Sequence, residues 1–102
     1  FYDTTTQVNS VADADNIITF NTTAEAFNVS IVSGSRITFA KGGTYNIQFS
    51  AQFDKTDAGN DDVDVWLAYT GSNVPWSNTQ ITLAGNNAKY VGIYAVKKLI
   101  FY

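Results

Sequence analysis

Between residues 44 and 53 apolar and polar residues alternate without a break: Tyr45, Ile47, Phe49, Ala51 and Phe53 are interleaved with Asn46, Gln48, Ser50 and Gln52. Successive side chains on an extended strand point to opposite faces, whereas on a helix the same five apolar residues would be scattered around the cylinder. The run therefore reads as a β-strand with one face in a core and the other wet or interfacial. No amphipathic helical period competes with it elsewhere in the chain. This places the chain in the all-β class.

The rest of the sequence is a series of short β-type runs with turn signals about every 8 to 12 residues, the spacing of a sandwich or barrel. Residues 62–69 put Val63, Val65, Leu67 and Tyr69 on one side and Asp62, Asp64, Trp66 and Ala68 on the other, with Trp66 the odd member of a polar face. Further strands are expected over 16–20, 27–32, 35–39, 80–83 and 88–96. Ser33-Gly34 joins two of them, Lys41-Gly42-Gly43 and Gly71-Ser72-Asn73 close later connections, and Gly85-Asn86-Asn87 has hairpin-turn chemistry. The single proline, Pro75, falls outside every strand, as a residue without an amide donor should. Residues 1–15 are polar and Thr-rich and read as an N-terminal arm able to pair as an edge strand. The other end, residues 97–102, reads as an apolar C-terminal strand finishing on Leu99-Ile100-Phe101-Tyr102, which needs cover because an open apolar edge invites pairing.

Composition narrows the function. The 102 residues suit one domain, 1–102, and contain neither Cys nor His. That excludes disulfides, zinc fingers, thiol nucleophiles and serine triads with a histidine base. Six cations against nine anions, a net charge of −3, give no basic face for nucleic acid. With 45% apolar, 15% aromatic and 15% charged residues, the chain reads as a packed globule. No apolar run reaches membrane-spanning length, so no membrane insertion is expected. The first residues lack the features of a signal peptide, and the absence of Met reads Phe1 as the product of processing or of excerpting.

Three constellations can be weighed. Asp54, Asp57, Asp61, Asp62 and Asp64 concentrate oxygen around one loop, but the spacing does not match a calcium loop and the only Glu is Glu25. A solvated acidic hairpin partly neutralised by Lys55 is the better reading, so no metal or other cofactor is expected. The same carboxylates crowd one loop rather than face each other across a cleft as in a glycosidase. With no source of a base poised near neutrality, the chain is read as not an enzyme. The aromatic residues Trp66, Tyr69 and Trp76 could stack on sugar rings or form the centre of a contact between subunits.

Residues 43–57, GTYNIQFSAQFDKTD, followed by Asp61-Asp62-Val63-Asp64-Val65-Trp66-Leu67 and by Val74-Pro75-Trp76-Ser77-Asn78-Thr79, resemble a module of tailed-phage structural proteins. The opening Phe1-Tyr2-Asp3-Thr4-Thr5-Thr6-Gln7 fits it too. That module is similar to the jelly-roll domains of the C1q and tumour-necrosis-factor class, and the likeness extends over about residues 1 to 91. It implies an antiparallel jelly-roll-like sandwich that assembles as trimers in fibres or other exposed parts of a virion. Relatives of this type continue through two further strands that this chain lacks. The resemblance therefore implies completion by a strand from a neighbouring subunit, residues 1–11 or 97–102, giving a closed trimer or an open filament. On this reading the chain is a self-associating structural or adhesive protein, located in a virion or outside cells. Its assembly or ligand contacts are Phe1, Tyr2, Trp66, Tyr69, Trp76, Leu99, Ile100, Phe101 and Tyr102, and its outside partner a host-surface glycan or receptor. A carbohydrate-binding module using the exposed Trp and Tyr residues is the alternative.

Overall fold

The computed structural model describes residues 1–9, 11–85 and 91–101. They contain eight β-strands and no helix, so the all-β class expected from the alternation is what the chain adopts. In chain order these are β1 (Val29–Val32), β2 (Arg36–Phe39), β3 (Gly43–Phe53), β4 (Asp61–Val65), β5 (Ala68–Tyr69), β6 (Ser72–Asn73), β7 (Thr79–Leu83) and β8 (Val91–Phe101). Pairing is two by two: β1 with β2, β3 with β8, β4 with β7 and β5 with β6. The chain divides into two compact units, Phe1–Gly43 and Thr44–Phe101.

In the first unit, β1 and β2 form an antiparallel hairpin with Val29 opposite Phe39 and Ile31 opposite Ile37. The connection is the one its Ser33-Gly34 signal predicts. Both residues are left-handed, with φ of 53° and 71°, and with Ser35 they make a three-residue loop between the paired Val32 and Arg36. The Arg36 guanidinium donates to Ser33 Oγ at 3.0 Å across it. The expected strand over 16–20 does not form. Its backbone is held by side chains instead: the Gln7 carboxamide donates to the Thr19 carbonyl at 2.7 Å and accepts from the Thr19 amide at 2.9 Å. Asn21 and Thr4 are joined the same way, the Thr4 amide donating to Asn21 Oδ1 at 3.2 Å and Asn21 Nδ2 to Thr4 Oγ1 at 2.8 Å. The one β-bridge here pairs Tyr2 with Thr22. A primary amide carries both a donor and an acceptor, so Gln7 imitates a strand neighbour without being one.

In the second unit, β3 keeps the alternation intact: Tyr45, Ile47, Phe49, Ala51 and Phe53 are half-buried while their polar neighbours are exposed. Its partner β8 is a single strand, Val91–Phe101, that takes in residues 97–101 of the C-terminal apolar run. On β4 and β7, Val63 faces Ile81 and Asp61 faces Leu83 across the ladder. Leu83, at 4% exposed, is buried. The other face of this pair is polar, with Asp62 opposite Thr82 and Asp64 opposite Gln80. Thr82 Oγ1 donates to Asp62 at 2.7 Å, closing a cross-strand link.

Two further expectations are corrected. The run 62–69 is not one strand: β4 ends at Val65 and β5 begins at Ala68. The reason lies in Leu67, whose amide donates to Ser77 Oγ at 3.0 Å and whose carbonyl accepts from the Val74 amide at 2.8 Å. Once both its backbone groups are engaged there, they cannot extend the ladder with β7. Nor do the strands around Gly85-Asn86-Asn87 pair with each other, since β7 joins β4 and β8 joins β3. Asn86 and Asn87 themselves lie outside the described residues, as do residues 88–90 of the expected strand 88–96.

Candidate functional site: an open depression between two tryptophans

The break after β4 leads into an open surface depression of the second unit. From Leu67 the chain makes a tight hairpin, β5 to β6, around Thr70 and Gly71, both left-handed at φ of 48° and 83°. It then enters Val74-Pro75-Trp76-Ser77, with proline at the second position and a left-handed residue, Trp76 at φ 62°, at the third. That is the pattern of a type II turn, in which the third position favours glycine. The Ser77 hydroxyl closes it by donating to the Val74 carbonyl at 2.8 Å. At 5% exposed, Ser77 is effectively internal. The turn is thus fixed from below by a buried hydroxyl while its apex points outward.

The indole of Trp76 is 96% exposed at that apex. Beside it lies an open depression of about 350 Å³ lined by Asp64, Trp66, Asn73, Val74, Trp76 and Asn78. Trp66 continues the polar side of β4, as the alternation with Asp64 implies, and is half-buried. Its Nε1–H donates to Asn73 Oδ1 at 2.9 Å. Asp64 accepts from Asn78 Nδ2 at 2.8 Å and from Gln80 Nε2 at 3.3 Å to each carboxylate oxygen. The structure therefore brings Trp66 and Trp76 to one place and adds Asp64, Asn73 and Asn78. The signal for Asn73 and Asn78 is the turn text 73–78, in which Pro-Trp lies between two Asn residues, while Asp64 belongs to the polar side of β4.

The other candidate residues lie elsewhere. Tyr69 sits on β5, exposed and outside the lining of the depression. Phe1 is half-buried and Tyr2 exposed in the first unit, where the Tyr2 amide donates to the Thr22 carbonyl at 2.9 Å and its carbonyl accepts from the Thr22 amide at 3.0 Å. Beside them, hydrogen bonds from the Thr5 hydroxyl and amide hold the Asp3 carboxyl below the usual aspartate range, with Gln7 and Thr19 adding to the effect. Leu99 is half-buried and Ile100 exposed on β8, which ends at Phe101. Tyr102 lies outside the described residues.

The acidic loop carries its own cation. Lys55, 8% exposed, donates from Nζ to the Gly59 carbonyl and to Asp61 Oδ2, the latter at 2.6 Å, with Asp57 Oδ1 at 3.8 Å. An ammonium thus occupies the point on which the loop oxygens converge. Among the described residues no cluster of three or more acidic side chains is arranged to hold a metal ion, and no helix is long and apolar enough to cross a membrane.

Comparisons with family models, with curated proteins and with solved structures find no match to this chain.

Proposed function

We propose that this chain is a non-catalytic structural subunit that works by associating with copies of itself, as a trimer or a filament, in a virion fibre, a virion surface or an extracellular assembly. The observation that carries the reading is the pairing of strands in couples. Two-stranded sheets are marginal alone in water, and each leaves outer backbone donors and acceptors that template pairing with another chain. The apolar face of β3 is only half-buried along its whole length. A second copy laid on these edges and faces would supply the missing cover. Because β8 is paired to β3 of its own chain, addition at free edges is a simpler route than donation of the C-terminal strand. The jelly-roll arrangement and the phage setting rest on the resemblance of 43–57, 61–67 and 74–79 described above.

Light scattering over a range of concentrations tests this. The expected result is a mass at a multiple of the 11.1 kDa chain, falling only on strong dilution. A monodisperse 11.1 kDa species at micromolar concentration and above would overturn it.

A further inference from the structure

We propose that the depression between Trp66 and Trp76 binds a neutral saccharide. The proposal goes beyond self-association and stands on the chemistry of the lining. Pyranose rings present apolar C–H faces and rims of hydroxyl groups that both donate and accept; a site for them needs flat apolar surface beside fixed polar groups. Trp76 supplies the surface, held outward on a turn whose backbone the residue itself disfavours. The polar groups are fixed by bonds within the site. Asn73 uses its Oδ1 to accept from Trp66, which turns its NH₂ group outward as a donor. Asn78 uses its Nδ2 to donate to Asp64, which leaves its Oδ1 as an acceptor. One preset donor and one preset acceptor flank the indoles, the complement of a pair of neighbouring hydroxyls.

Charge decides among other ligands. Asp64 is the one ionised residue lining the depression, so phosphates, nucleic acids and acidic sugars are repelled. Its oxygens already accept from two amide nitrogens, Asn78 Nδ2 and a Gln80 Nε2 shared between both oxygens, which employs the carboxylate in orienting amides rather than in capturing an organic cation.

The chain has two tryptophans and both line the site, so emission excited on the red edge of the spectrum, where the six tyrosines do not absorb, reports on it. The experiment is a fluorescence titration with cellohexaose, maltohexaose and chitohexaose, with sialyllactose and choline chloride run in parallel and the mass followed by light scattering. The proposal expects a saturable emission change with at least one neutral oligosaccharide. It expects affinity reduced roughly tenfold or more in Trp76→Gly and in Asn78→Ala, at unchanged mass and unchanged circular dichroism. It is overturned by no saturable change with any neutral oligosaccharide, by equal affinity in both variants, by a response to choline or sialyllactose alone, or by an emission change on simple dilution without sugar, which would assign the tryptophans to a contact between copies. Self-association can fail in the scattering while saccharide binding holds, and the reverse, so the two readings are separately testable.

Discussion

Replacing Trp76 with glycine should make the protein slightly more stable, although it removes the largest kind of side chain. At φ 62° the residue sits in the left-handed region, which costs an L-residue about 1–2 kcal/mol and glycine almost nothing. Against this stands the extra backbone freedom glycine loses on folding, about 0.5–1 kcal/mol. Burial contributes little, because the indole is 96% exposed: a few per cent of a tryptophan surface of about 200 Å² is worth roughly 0.2 kcal/mol. Of these three terms strain is the largest, and together they favour glycine by about 0.5 kcal/mol, with any contact of the indole inside the chain removed equally in Trp76→Ala. For a domain of this size that raises Tm by roughly 2–4 °C. Thermal unfolding followed by circular dichroism measures it, at matched mass so that association does not shift the transition. Trp76→Ala is the control, since it removes the indole but keeps the strain; its Tm should lie at or below that of the parent chain. A fall in Tm of more than about 4 °C in Trp76→Gly, close to 1 kcal/mol, would refute the reasoning by making the indole an anchor of the fold.

Lys55→Met should destabilise the second unit by about 1–2 kcal/mol in urea unfolding, a range that allows for solvent screening at the more exposed Asp61, and should speed amide exchange over residues 56–60; an unchanged midpoint would contradict the placing of the ammonium at the centre of the loop. Calcium added to the parent chain should give no thermal stabilisation, because that centre is occupied, whereas a clear rise in Tm would show the loop oxygens free to rearrange around a divalent ion. Asp3 should titrate by NMR below the usual aspartate value of about 3.9. A carboxyl depressed in the folded state adds stability above its unfolded pKa and loses it as pH falls through the folded one, so the Thr5 and Thr19 amides should shift together in that acid window and stay fixed in Asp3→Asn. Ile100→Lys, which charges an exposed apolar position on β8, should lower the assembled mass seen by light scattering; retention of the full mass would move the contact away from this strand.

How much of this could be read from residue order depends on how each element is held. The strand β3 was legible in full because it is made by a period: every second residue from Tyr45 to Phe53 meets the same environment, and a period survives any arrangement of its neighbours. The β1–β2 turn was legible because a local backbone demand has a local chemical answer in Ser33-Gly34. What could not be read was pairing by side chains. The hold of Gln7 on Thr19 spans twelve positions and leaves no periodic trace, so residues 16–20 looked like a strand although Thr19 is paired by a side chain and the Phe20 amide donates to the Gly34 carbonyl of a turn. Leu67 posed the same difficulty, since its position fits the alternation of β4 and only the bonds to Val74 and Ser77 remove it from the ladder.

That diversion connects the fold to the site. Ending β4 at Val65 gives up ladder bonds, and the turn that takes their place seats a tryptophan where backbone geometry favours glycine and solvent exposure favours a polar side chain. A residue opposed by both local preferences persists in a fold only if its surroundings enforce it, and here Pro75 presets the turn while the buried Ser77 hydroxyl closes it. The groups that close the turn belong to Pro75 and Ser77, while the indole stays 96% exposed. On the saccharide reading, that exposed face is what meets the ligand. The amides of Asn73 and Asn78, already committed in direction by Trp66 and Asp64, would meet such a contact with little further loss of side-chain freedom. Rotating either amide to the opposite sense would break its existing bond, so what the depression prefers is a ligand that brings a hydroxyl acceptor to Asn73 and a hydroxyl donor to Asn78 in the same encounter.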